Sequence, residues 1–198
     1  YGGLAGELYW YDRSDVWKNP RLMRYAPRSI VEPRAMRRPT APDKHYNHFR
    51  VAKEAKSLRD VGVKVNIGGH GQREGLAAHW EIWMMYQGGF SAWEALRAAT
   101  IDGAHYLGMD TDIGSVEVGK LADFAIIDGD PLENIRRSEY IAYTMINGRL
   151  YDVSDMSEVG TGKFKRQPFY FELEGGDTLP SAAREAIEAK ADKFHWQH

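Results

Sequence analysis

The sequence predicts an α/β protein, and three observations carry that prediction. Helical periodicity dominates the stretches 46–59, 76–87 and 91–107. A short alternating run, Val63-Lys64-Val65-Asn66-Ile67, stands among those helices. After Asp112 the period becomes extended and leads to Asn147-Gly148, the strongest short signal for a hairpin. The strands of 112–152 follow the helices rather than alternating with them, so this stretch is expected to form a separate sheet.

Each element has a local justification. The opening Tyr1-Gly2-Gly3-Leu4-Ala5-Gly6-Glu7 holds three glycines in seven positions and is expected as a loop that brings backbone close to a ligand. From 12 to 43, Pro20, Pro27, Pro33, Pro39 and Pro42 are expected to interrupt any helix longer than two turns. Trp17, Leu22, Met23 and Tyr25 nevertheless make that stretch an ordered excursion rather than a solvated linker. The helix over 46–59 carries Val51, Ala52, Ala55 and Leu58 at helical spacing. Gly68-Gly69-His70-Gly71 breaks the strand at 63–67, and the helix over 76–87 ends at Gly88-Gly89, where a C-terminal cap belongs. Ser91 and Glu94 form a capping box for a helix bearing Trp93, Leu96, Ala99 and Ala104, which Gly108 stops. Strands are expected at 115–118 and 124–127 around a Gly119-Lys120 turn, then at 141–146 and 149–151. The tail contains a helical stretch, 181–194, between aromatic clusters that favour docking.

Composition narrows the function classes. The chain has 198 residues, 28 acidic against 26 basic, with a net charge of -2. A hydrophobic fraction of 43% with 6 Trp and 11 Tyr is enough to build a core. The basic residues interleave with acids, apart from Arg34, Arg37 and Arg38, so no stripe exists to displace counterions and no nucleic-acid partner is expected. Cysteine is absent, which excludes disulfides, thiolate metal sites and thiol nucleophiles. No apolar run approaches the roughly 20 residues needed to cross a bilayer. The first residue is Tyr1 rather than Met, as in a fragment or a processed chain.

Strand, glycine turn, helix is the order that presents polar side chains at the carboxyl end of a strand, where α/β enzymes bind substrate. His70 occupies that place and can ligate a metal or move protons near neutral pH; the alternative is a histidine hydrogen-bonded within a turn. Gln72, Arg73 and Glu74 follow with an amide, a guanidinium fork and a carboxylate, or simply open the next helix. Glu7 is a further candidate carboxylate. His79 and Glu81 are two apart on a helix and do not share a face, so His79 reads as a packed or capping residue. Asp43, His45 and His48 resemble a metal cluster, but the helix start behind Pro42 also makes Asp43 a cap and the two histidines surface or interface residues. No Gly-x-Ser-x-Gly elbow and no phosphate-cradling loop is present.

An ordered set of motifs resembles one family. It comprises Gly88-Gly89, then Glu94-Ala95-Leu96-Arg97-Ala98-Ala99-Thr100, Ala104, Leu107-Gly108, Ile113-Gly114-Ser115-Val116-Glu117-Val118-Gly119-Lys120-Leu121-Ala122-Asp123, Asp130-Pro131-Leu132 and Ile146-Asn147-Gly148-Arg149. This succession is similar to the carboxyl-terminal portion of amidohydrolase-superfamily enzymes. The resemblance implies a metal-dependent hydrolase on a (β/α)8 TIM barrel with a small β-sandwich: 1–111 the last part of the barrel, 112–152 a sandwich segment, 153–198 an extension with a helix. His70-Gly71-Gln72 and His79-Trp80-Glu81 resemble more narrowly the branch with an amino-terminal β-propeller, which implies a periplasmic or secreted location.

The family's paired histidines of the first strand, its bridging lysine and its later strand histidines are absent here. His70 stands where most members have an aspartate that binds metal and accepts the water proton. The resemblance therefore implies an active site completed by another polypeptide or by missing sequence, around a divalent metal expected to be zinc. On this reading His70 is catalytic and a metal ligand, and Gln72, Arg73 and Glu7 contact a small-molecule or peptide-like substrate. The rival expectation is a noncatalytic assembly subunit or degenerate barrel, in which His70 is structural.

Overall fold

Helices come first and a small antiparallel sheet follows in the computed structural model, which describes residues 3–14, 16–36, 40–69, 73 and 75–173. The first helix, α1 (Gly3–Tyr11), replaces the expected glycine loop. Leu4, Ala5, Glu7 and Leu8 favour helix, and the packing of Tyr9, Trp10 and Tyr11 outweighs the glycine penalty. Gly6 serves contact rather than backbone freedom: a Cβ there would lie 2.3 Å from Met84 Sδ.

Proline punctuates the next stretch less than expected. A single turn at Val16–Lys18 leads to α2 (Pro20–Tyr25), where Asn19 Oδ1 accepts from the backbone N–H groups of Arg21 and Leu22, at 3.1 and 3.0 Å. Pro20 opens this helix, where its missing N–H costs nothing. The next helix, α3 (Arg28–Met36), runs through Pro33, because losing one backbone hydrogen bond does not stop a helix whose Val31 is fully buried.

Helix α4 (His48–Asp60) starts two residues later than the sequence indicates, behind a turn at Asp43–His45. Helix α5 (Ala77–Gln87) is the centre of the molecule. Trp80, Glu81, Ile82, Trp83, Met84 and Met85 are consecutive and all buried, so this helix is enclosed on every side. Trp83 meets Trp10 edge-on at 4.9 Å between ring centroids, and Trp80 meets Tyr11 at 5.3 Å. Such pairs contribute about 0.5–1.5 kcal/mol each beyond area burial.

Helix α6 (Ala92–Ala98) opens with the predicted capping box. Ser91 Oγ accepts from the Glu94 backbone N–H at 3.2 Å, and Glu94 Oε2 accepts from the Ser91 N–H at 2.8 Å. In α7 (Ile101–Tyr106), buried Asp102 accepts from Arg59 at 2.9 Å and Arg97 at 2.8 Å, joining α4, α6 and α7. Burial pushes its carboxyl up, and the two guanidinium groups outweigh that and hold it below the usual range.

The sheet has order β1-β2-β3: β1 (Phe124–Ile127), β2 (Ile141–Ile146) and β3 (Arg149–Asp152), all antiparallel. Asn147 (φ 50) and Gly148 (φ 75) form the predicted hairpin turn, pairing Ile146 with Arg149. The expected strand at 115–118 is absent. Val116 and Val118 are exposed at 83% and 108%, and only the Gly119-Lys120 turn survives, with Lys120 N–H donating to the Glu117 carbonyl at 3.2 Å. The strand expected at 63–67 is not formed, and the run has no regular secondary structure and pairs with no strand among the described residues. No helix among the described residues is long and apolar enough to cross a membrane. The helix expected at 181–194 lies outside the described residues.

Candidate functional site

The segment 63–69 lies against α6, where the Ile67 N–H donates to the Ala98 carbonyl at 3.2 Å. At its end the Gly68 and Gly69 N–H groups both donate to Glu81 Oε2, at 2.9 and 2.6 Å. Glu81 is 4% exposed in the middle of α5, and a carboxylate accepting backbone donors makes charge-assisted bonds of about 1.5–3 kcal/mol each. Gly69 has φ +49, a left-handed conformation that suits glycine. The carboxylate thus fixes the backbone directly ahead of position 70.

His70 and Gln72 lie outside the described residues. Arg73 is buried at 1% exposure, with its guanidinium carbon 5.1 Å from the Tyr11 ring centroid. Glu7 is buried on α1 and, being four residues before Tyr11, shares that helix face. The fold therefore brings Arg73 to the side of α1 that carries Glu7.

The packed reading of His79 holds. Its Nδ1 lies 3.2 Å from Ser138 Oγ, and burial lowers its pKa to about 4. Asp43 pairs with Arg13 at 2.8 Å instead of capping α4, whose N-cap is Asn47. His48 is a core residue rather than a surface one: 1% exposed, it is ringed by Tyr9, Tyr46 and Phe49, with Nε2 3.2 Å from Gln87 Oε1. Burial lowers its pKa, and the Gln87 bond opposes that. Among the described residues no three His, Asp or Glu side chains gather to hold a metal ion.

Sequence reading missed the anchoring role of Glu81. The available signal was a lone carboxylate inside an otherwise apolar helical run, Ala77-Ala78-His79-Trp80-Glu81-Ile82-Trp83. Such a group must find donors, and the nearest unbonded ones are those of a glycine turn.

A family model described as the amidohydrolase family matches residues 44–151, more than half of the chain. The chain belongs to the amidohydrolase family. Within that family it is similar to an imidazolonepropionase of Sphingopyxis alaskensis, 42% identical over 65 residues, covering 32% of this chain and 15% of the relative. It is also similar to a 5-methylthioadenosine/S-adenosylhomocysteine deaminase of Thermoanaerobacter pseudethanolicus, 62% identical over 39 residues, covering 20% of this chain and 9% of the relative. Among solved structures it resembles a Xaa-Pro dipeptidase with methionine bound in its active site, with a TM-score of 0.50 and 26% identity over 75% of this chain and 32% of that one. The matched parts thus span 15% or less of these curated relatives. Both the mixed α/β character and the small sheet agree with this family assignment.

Proposed function

We propose that this chain is the closing part of a metal-dependent hydrolase that cleaves an amide, cyclic amide or peptide-like carbon–nitrogen bond. The observation that carries the reading is the amidohydrolase-family match over 44–151, within which Glu81 pins the backbone of Gly68 and Gly69 just before His70 in sequence. The relatives named as an imidazolonepropionase, a deaminase and a Xaa-Pro dipeptidase support a carbon–nitrogen bond as the target. In this proposal 1–111 closes a (β/α)8 barrel, 112–152 returns to a β-sandwich, and 153–198 is an extension.

The described donors do not make a metal site by themselves. We therefore assign the ligands of a divalent ion, taken as zinc, mostly to sequence outside this chain, with His70 as this chain's contribution. The polypeptide supplying them is the proposed partner, and the resemblance of His70-Gly71-Gln72 and His79-Trp80-Glu81 to the propeller-bearing branch supports a periplasmic or secreted location as part of this proposal. Within this chain, Glu81 holds the backbone at Gly68 and Gly69, directly before His70 in sequence. Gln72, Arg73 and Glu7 are assigned to substrate contacts, the last two as buried side chains.

The test is His70→Ala in the intact protein that carries this chain. Hydrolysis of amide-type substrates is expected to fall by about a hundredfold or more, with the fold retained. Stoichiometric metal that is lost together with activity on chelation supports the enzyme. Undiminished turnover removes His70 from the mechanism, and a metal-free, well-folded assembly without hydrolysis supports the noncatalytic reading instead.

A further inference from the structure

A cavity of 310 Å³ opens between α2, the first turns of α5 and the small sheet. Among the described residues its apolar wall comes from Leu22, Leu76, Ile141, Val153, Met156 and Phe169. His79, Glu139 and Arg21 interrupt that wall. An apolar cavity of this size with a few convergent polar groups is the usual form of a small-molecule pocket.

The polar groups have a definable polarity. Ser138 Oγ lies 2.9 Å from Trp83 Nε1, which can only donate, and 3.2 Å from His79 Nδ1. Ser138 is 2% exposed, so its hydroxyl proton goes to Nδ1, the acceptor beside it among the described residues. The imidazole proton is then on Nε2, the nitrogen not taken by Ser138, on a side chain that lines the cavity. With its pKa at about 4, His79 is neutral near pH 7 and keeps that single donor. Glu139 lines the same space as an acceptor, its carboxyl pushed up by burial against the pull of Arg136 and Arg21. Among the described lining residues Arg21 is the one cation and Glu139 the one carboxylate, so their charges offset. The Tyr25 hydroxyl is spent on the Ser154 carbonyl, and Arg166 lies over its ring and that of Phe169 at 5.4 and 4.8 Å, leaving the remaining ring surface to line the cavity.

We propose that this cavity binds a small uncharged aromatic molecule whose polar end accepts a hydrogen bond from His79 Nε2–H and donates one to Glu139. The ring packs against Tyr25, Leu22 and Phe169. An ion meets balanced charge and gains nothing to offset its lost hydration.

Benzamide serves as the probe, titrated calorimetrically into the intact protein. Toluene lacks both polar atoms and benzoate carries a charge, and each is expected to bind about tenfold more weakly or worse. His79→Phe is expected to lower benzamide affinity about tenfold and leave toluene affinity unchanged. Met156→Trp fills the space and is expected to abolish binding of both, with near-ultraviolet circular dichroism confirming the fold of each variant. Nitrogen NMR of the histidine rings supplies a readout independent of any variant: the His79 Nε2 resonance is that of a protonated nitrogen and shifts on saturation with benzamide. Absence of benzamide binding at millimolar concentration, benzoate binding as tight as benzamide, or an unmoved Nε2 resonance would overturn the proposal.

Discussion

His79 shows how one buried titratable group shapes stability. Its pKa falls from the ordinary 6.5 to about 4 because burial penalises the imidazolium. Between those values the unfolded chain binds a proton that the folded chain refuses, so stability declines as pH drops through 6.5 toward 4. At pH 5 the loss from this residue is about 2 kcal/mol, and below the folded pKa it reaches about 3 kcal/mol. His48 acts in the same direction, since burial lowers its pKa as well. Urea unfolding of the intact protein at pH 7.5 and pH 5, compared with His79→Gln, isolates the term. The variant is expected to lose about 2 kcal/mol less than the parent on acidification, and equal losses would show that His79 is not the group responsible.

Adjacent glycines at the end of α5 perform different tasks at the level of the element. Gly88 meets α4: a Cβ there would lie 2.4 Å from Ala52 Cβ and 2.5 Å from its carbonyl carbon, and backbone cannot yield cheaply. Gly89 has open space, with Lys56 Cγ nearest at 4.0 Å, but its φ is +100. Gly88→Ala is therefore expected to force α4 and α5 apart and cost about 1–3 kcal/mol, while Gly89→Ala costs about 1–2 kcal/mol through its backbone alone. Thermal unfolding checks both, and only Gly88→Ala is expected to perturb the Tyr9 and His48 environment packed beside the crossing; an unperturbed spectrum for that variant would refute the close contact. The position of these glycines was legible in the sequence because a helix cap is a local event. The same holds for the Ser91–Glu94 box and the Asn147-Gly148 turn. Where an outcome depended on distant residues, local pattern misled. The glycines of α1 read as a loop because Met84, which accepts Gly6, is far away in sequence. Val63 to Ile67 alternate as a strand does, yet strand pairing needs a neighbour that the described residues do not supply. The candidate site was legible in the same uneven way: the glycine turn before His70 was visible, but Glu81 as its anchor and His48 as a core residue required knowledge of tertiary contacts.

At the scale of the whole molecule, the question is what surface remains uncovered. Among the described residues β1 is paired on one side only, whereas the outer side of β3 is partly covered by 157–159, with the Val159 N–H donating to the Leu150 carbonyl at 2.7 Å and the Asp152 N–H to the Ser157 carbonyl at 3.0 Å. Large apolar side chains stand in the open, among them Val61, Tyr106, Leu107, Val116 and Val118. A net charge of -2 offers little repulsion between copies. Open edges beside exposed apolar groups are templates for association unless another polypeptide covers them. This chain corresponds to 32% of the dipeptidase chain it resembles, and in the barrel proposed above a further polypeptide would cover these groups. Expressed alone, the 198-residue chain is expected to elute as polydisperse oligomers and to bind a hydrophobic dye. Joined to the polypeptide proposed to supply the remaining metal ligands, it is expected to elute as one defined species with the dye signal lost. Size-exclusion chromatography with light scattering distinguishes the outcomes. A monodisperse, dye-silent monomer of the isolated chain would mean that its exposed apolar groups are compatible with autonomy, and the composite-barrel reading would then lose its physical basis.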